Sequence, residues 1–194
     1  MVATEAPPQR RLITGGDPDS RYPIPKEGDF VKPLPLGATA LTFHDYIPAP
    51  ELQKIGEALI ASKLTGLMDE VAVEYLWKRK GGTTRGKWNM GKCQKLTGLA
   101  RFFSVSADFV VWLAADFCES YKLTRWQMEA LLFHELLHIE IEEPEDEDKP
   151  TIKRPTDHDF EGFYVEITEY GLWQRELARL SEIVQPSLPF VAEL

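Results

Sequence analysis

The stretch that most constrains this chain is Leu132-Phe133-His134-Glu135-Leu136-Leu137-His138-Ile139, a His-Glu-Leu-Leu-His pattern inside an apolar helical segment. Residues four apart in a helix stand one turn above each other on one face. His134 and His138 can therefore reach one metal ion, and Glu135 between them can reach a water beside it. That is the spacing of a hydrolytic zinc site with the glutamate as general base. Met128, Ala130, Leu131, Leu132, Phe133, Leu136, Leu137 and Ile139 make the segment apolar nearly all round, so it has to be buried. Two imidazoles and a carboxylate buried without partners would cost several kcal/mol, a difficulty that a metal removes. The helix start is signalled as well. Thr124 and Gln127 have the spacing of a capping box, in which each side chain satisfies the other residue's backbone N–H.

The rest of the chain must supply a third ligand, a core and a ledge for substrate. Its 194 residues fit one domain, or one domain with an arm, and 43% hydrophobic residues suffice for a core. No run of eighteen apolar residues exists, which excludes a helical membrane span, and the N-terminus lacks the pattern of a secretory signal. Cys93 and Cys118 are far apart and form no CxxC, so the expectation is two reduced thiols in a cytoplasmic protein. A net charge of −9 argues against nonspecific nucleic-acid binding by the chain as a whole.

Nine of the fourteen prolines fall in the first fifty residues, which reads as a proline-rich extended arm over 1–49, partly disordered. His44, at its end, reads as a surface or packing residue. A folded domain over 50–185 opens with Pro50 at the first position of a helix carrying Leu52, Ile55, Leu59 and Ile60. Val71, Ala72, Tyr75 and Leu76 suggest a second helix stopping at Gly81-Gly82. Lys95 to Val105 and Asp108 to Leu113 read as strands, the latter buried, and Ala114 to Tyr121 as a turn or short helix. Pro144 is expected to end the motif helix. Glu140 to Asp148 holds seven acidic residues in nine and reads as a solvated loop without the glycine and oxygen pattern of a calcium loop. Phe160, Phe163 and Ile167 have helical spacing up to Gly171. Leu172 to Val184 suggests a last amphipathic helix, ahead of a C-terminal tail over 186–194.

Between Lys78 and Arg101 stand eight basic residues and no acidic one, with Trp88 among them. Lys80, Arg85, Lys87 and Lys92 are the candidates for contacts to nucleic acid or an acidic partner. The plainer reading is a solvated segment with a charge bias, because aromatic residues are sparse within it.

A hydrolytic zinc keeps three protein ligands and one open position. Beyond His134 and His138, the favoured third ligand is His158, which follows a loop and opens an apolar helix able to fold back on the first. Asp157, Asp159 and Glu161 are carboxylate competitors; Asp159 leads them, and one of these acids is alternatively placed to orient a histidine. Tyr164, Tyr170 and Arg125 are candidates to steady a developing oxyanion, and the strand Asp108 to Leu113 is a candidate edge for an extended peptide.

From Lys92 to Trp173 these residues resemble the putative phage metallopeptidase family, a relative of the SprT-like zincins. The resemblance rests on the strand Asp108-Phe109-Val110-Val111 and on Leu-Thr-x-x-Gln-x-x-Ala-Leu-Leu-x-His-Glu-Leu-x-His-Ile from Leu123 to Ile139. It continues through His158-Asp159-Phe160-Glu161-x-Phe163 to Tyr170-Gly171-Leu172-Trp173. Residues 51–80 are similar too. The resemblance implies an α+β, zincin-like fold: a small β-sheet packed on an HExxH active-site helix, with additional helices, over 50–185. It implies Zn2+ held by His134, His138 and His158, Glu135 as catalytic base, a protein or peptide substrate, and work in the cytoplasm of a host cell. SprT-like proteins often carry a C-terminal cysteine zinc ribbon, and this chain has none. The alternative function is a non-catalytic, zinc-stabilised module that binds nucleic acid or protein through the basic segment or the arm.

Overall fold

The computed structural model describes residues 10–33, 40–84, 87–103, 107–142, 151–157 and 164–173. The chain divides into two units, Met1–Asp157 and His158–Leu194, each taken by itself. In the first, the elements run β1 (Tyr46–Pro48), α1 (Pro50–Lys63), β2 (Val73–Lys78), β3 (Gly82–Thr84), β4 (Lys87–Asn89) and β5 (Gly91–Lys95). They continue through α2 (Gly98–Phe103), β6 (Phe109–Ala114), α3 (Ala115–Ser120), α4 (Arg125–Leu137), β7 (Ile139–Glu142) and β8 (Ile152–Pro155). The second unit contributes α5 (Tyr164–Tyr170), closed by Gly171 at φ +66°. The fold is thus mixed α+β around a small sheet.

That sheet has the order β1-β2-β6-β5; β2 and β6 are parallel, and the outer pairs are antiparallel. Side chains alternate between faces, so the register sorts them. Tyr75, Trp77, Phe109, Val111, Leu113 and Cys93 share one face, and all are buried. α1 lies against β2, α4 lies against β5 and β6, and the two helices touch each other. This helix–sheet layer is the core, with Leu52, Leu59, Leu132, Phe133 and Leu136 closed off from water. Each such side chain stabilises the fold by about 1.5–3 kcal/mol relative to exposure. α1 can approach β2 because Gly56 has no side chain where the Tyr75 ring passes.

The described part of the proline-rich arm is structured. It forms a 3-10 turn at Glu27–Phe30, and Leu12, Tyr22 and Phe30 are buried. Tyr22 packs on Trp77 with ring centroids 6.3 Å apart, and its N–H donates to the carbonyl of Leu123 at 3.1 Å. Burial first, and the nearby Glu51 carboxylate second, push the Tyr22 phenol up to about 12.

Several expectations hold: the helix from Pro50, the buried strand before Ala114, the short helix after it, and the capped helix from Arg125. Three do not. Residues 73–78 form a strand, because Tyr75 and Trp77 alternate with half-buried neighbours and the backbone pairs on both sides. The strand expected from Lys95 to Val105 is instead β5 ending at Lys95, followed by α2, which starts at Gly98 with φ +55°. The motif helix ends at Leu137, well before Pro144. His138 is its C-cap, and the chain turns straight into β7, where Glu140 and Glu142 pair with Arg154 of β8. The start of the acidic run is therefore one strand of a hairpin; residues 143–150 lie outside the described ones.

Candidate metal centre

The site is built on α4. At its start, Thr124 Oγ1 accepts from the Gln127 N–H at 3.3 Å, and the Thr124 N–H donates to Gln127 Oε1 at 3.0 Å. The next orphan donors are satisfied from the arm: Arg125 N–H donates to the Ser20 carbonyl at 2.8 Å and Trp126 N–H to the Pro18 carbonyl at 3.1 Å. One turn further, the Ile13 N–H donates to the buried Glu129 carboxylate at 2.9 Å. The arm thereby holds the front of the helix that ends in the histidines.

His134 and Glu135 are 8% and 5% exposed, and the His134 and His138 rings stand 5.4 Å apart at 85°. His138 Nδ1 lies 2.7 Å from the Thr156 carbonyl oxygen. A carbonyl only accepts, so Nδ1 carries the proton and Nε2 keeps its lone pair in the neutral ring. This is the arrangement that prepares a histidine as a metal ligand. The Thr156 N–H donates in return to the His138 carbonyl at 2.8 Å, extending the β7–β8 pairing by one step. The hairpin is tied to the sheet by Lys153, whose ammonium meets the mostly buried Asp108 carboxylate at 2.8 Å. Lys95 also donates to the Lys153 carbonyl.

Glu135 lies against the backbone of β5. A β-carbon on Gly91 would stand 2.5 Å from Glu135 Oε1 and 2.9 Å from its Cδ. Only glycine leaves that room. Cys93, two residues along the same face, is held as a neutral thiol. Burial raises its pKa most, and the Glu135 carboxylate raises it further. The residues present fit a metal with nitrogen ligands: one histidine with its tautomer set, a second one turn before it, and a carboxylate between them in a fitted slot.

The other expected residues fall out as follows. His158, Asp159, Glu161 and Arg85 lie outside the described residues, as does the Lys87 side chain. Among the described residues no three His, Cys, Asp or Glu side chains are grouped to hold a metal. His44 is exposed, its N–H bonded to the Phe30 carbonyl. Arg125 is not an oxyanion donor. It stands nine residues before His134, about 13 Å along the helix axis, with its guanidinium beside Gly16. Tyr164 and Tyr170 belong to α5 of the second unit. The Asp108–Leu113 segment cannot offer a free edge, because β6 is paired on both sides; β5 is the outer strand. Lys80 and Lys92 are exposed. No helix among the described residues is long and apolar enough to cross a membrane. Gly91, Thr156 and the Lys153–Asp108 pair escape a sequence reading, since none has a local pattern that announces its partner.

A family model described as "Putative phage metallopeptidase" matches residues 44–181. No curated protein and no solved structure matches the chain.

Proposed function

The chain belongs to the putative phage metallopeptidase family, and on that premise we propose that it is a zinc-dependent peptidase with a zincin-like site on α4. The observation that carries the reading is the 2.7 Å hydrogen bond from His138 Nδ1 to the Thr156 carbonyl, which sets the neutral tautomer with the lone pair on Nε2, the form a metal-ligating histidine takes. His134 and His138 supply two ligands. His158, which follows the hairpin in the chain, is the residue we propose as the third ligand. Asp159 and Glu161 are the alternatives at this position.

Zinc held by these histidines would supply Lewis-acid chemistry for amide hydrolysis. Glu135, fixed against Gly91, accepts the proton of the attacking water and passes it to the leaving amine. The apolar layer of α4 and β6 keeps bulk water from this carboxylate. An extended peptide is placed along β5, whose outer side pairs with no strand among the described residues. Protein or peptide inside an infected cell is the substrate class that this reading implies.

Metal content and hydrolysis test it together. Purified protein is expected to hold one zinc per chain and to cleave an unfolded protein pool. Glu135→Gln keeps the zinc and loses cleavage, His158→Ala loses the zinc, and His44→Ala changes neither. Equal zinc in His158→Ala transfers the third position to Asp159 or Glu161, and equal cleavage by Glu135→Gln removes the peptidase reading.

A further inference from the structure

The face of the sheet turned away from α4 carries an aromatic and cationic surface that the peptidase reading does not use. The register defines it. Across the four strands one row reads Pro48, Leu76, Trp112 and Lys92, and the row beside it places Tyr46 next to Lys78 and Ala114. Gly91 and Cys93 point the other way, toward Glu135, so β5 separates the two faces.

Trp112 packs with Ala114 and Phe117, flanked by Leu76, Met90 and Val110. The Tyr46 ring meets Trp112 edge-on at 6.4 Å, and the Trp88 ring meets Phe117 edge-on at 4.5 Å. An aromatic row therefore runs Trp88, Phe117, Trp112, Tyr46, with its two ends open to solvent: Trp88 is 60% and Tyr46 42% exposed. Lys78 Nζ sits 4.3 Å from the Trp112 ring centroid and 5.8 Å from that of Tyr46. Lys92 lies directly across from Trp112 and Lys80 just past the end of β2, and both are exposed. Arg79 does not contribute, since Glu27 at 2.7 Å and Asp45 at 4.0 Å hold its guanidinium. The acids nearest this surface are Asp45, beside Tyr46, Glu74, in the row beyond Trp112, and Asp116, whose carboxylate accepts from the Gly81 and Phe117 N–H groups next to Lys80.

We propose that this face binds single-stranded nucleic acid, with Tyr46 and Trp88 as stacking platforms and Lys78, Lys80 and Lys92 as phosphate contacts. Exposed aromatics stack unpaired bases regardless of sequence, and cations set between them track the backbone. A flat apolar protein partner would not call for three lysines in so small an area. A duplex would not use the rings, since its bases are already stacked. The chain's net charge of −9 works against the complex at long range, so binding is confined to this patch and is strongest at low salt.

The test is fluorescence anisotropy of labelled oligo-dT and oligo-U, about 15 nucleotides long, titrated with the full-length protein between about 25 and 200 mM salt. Three phosphate contacts predict a slope of log K against log salt near about −2. Lys80→Glu with Lys92→Glu, both at exposed positions that leave the core intact, is expected to weaken binding by about tenfold or more. Trp88→Ala is expected to do the same through lost stacking. Equal affinity for a hairpin duplex, a slope near zero, or unchanged affinity in either variant overturns the assignment.

Discussion

Gly91→Ala is the sharpest perturbation that this structure offers. Its backbone angles lie outside the left-handed region, so alanine can adopt them without strain. The effect must come from the new methyl group, which would start 2.5 Å from Glu135 Oε1 and 2.8 Å from Leu113 Cδ2. Ordinary contact needs about 3.4 Å or more, so the carboxylate has to withdraw by about 1 Å. Misplacing a catalytic group by that much costs on the order of a hundredfold in rate, or about 2.7 kcal/mol of barrier. Stability should move less. Overpacking costs about 1–3 kcal/mol, while replacing glycine by alanine returns about 0.4–1 kcal/mol through the unfolded chain. The expected outcome is kcat down about a hundredfold, KM little changed, zinc content unchanged and a modestly lower Tm. In the double variant with Glu135→Gln the methyl group should add nothing, because both changes act through one carboxylate. Wild-type kcat in folded Gly91→Ala would refute the argument. Loss of zinc together with activity would refute it too, since the methyl group is placed against Glu135 and not against the histidines.

Three further outcomes follow from the same geometry. Removing residues 1–20 strips the Ser20 and Pro18 carbonyls from the start of α4, the Ile13 N–H from Glu129 and the buried Leu12 side chain. Urea unfolding should show a loss of about 3–6 kcal/mol, and an unchanged midpoint would mean that the arm does not hold the helix. Tyr22 has a folded pKa of about 12 against 10.0 unfolded, so its contribution is fully present below pH 10 and drains away as pH rises from there to about 12. Wild type should lose on the order of 2–3 kcal/mol more than Tyr22→Phe across that window, and parallel pH profiles would contradict the burial of the phenol. Lys153→Met removes the Lys153 ammonium from the mostly buried Asp108 carboxylate and loosens the hairpin that carries Thr156. Stability should drop by about 1–3 kcal/mol and zinc affinity by about tenfold, measured by denaturant titration and chelator competition; neither changing would detach the hairpin from the site.

The local parts of this protein were legible in its residues. The capping box at Thr124 and Gln127, the helix from Pro50, the apolar strand before Ala114 and the buried surround of His134 and Glu135 each depend on neighbours within a turn or two. Patterns at that range survive reading one residue after another. Val71 to Leu76 misled, because a short apolar run satisfies a helical period and an alternating one alike. The strand won through its pairing with β1 and β6, which no local pattern contains. The fitted parts were settled only by the tertiary structure. Gly91 meets Glu135 from another strand, the Thr156 carbonyl sets the tautomer of His138 from 18 residues away, and Ile13 reaches Glu129 from 116 residues away. The basic segment held one tryptophan and looked poor in aromatics; folding brought Tyr46, Trp112 and Phe117 beside it from elsewhere in the chain. The sequence thus determined which groups are the candidates for chemistry, because two histidines and a glutamate on one helix are a local fact. Which group orients, crowds or faces each of them depends on strand register and on where the arm and the hairpin come to rest, and those are properties of the whole packed chain.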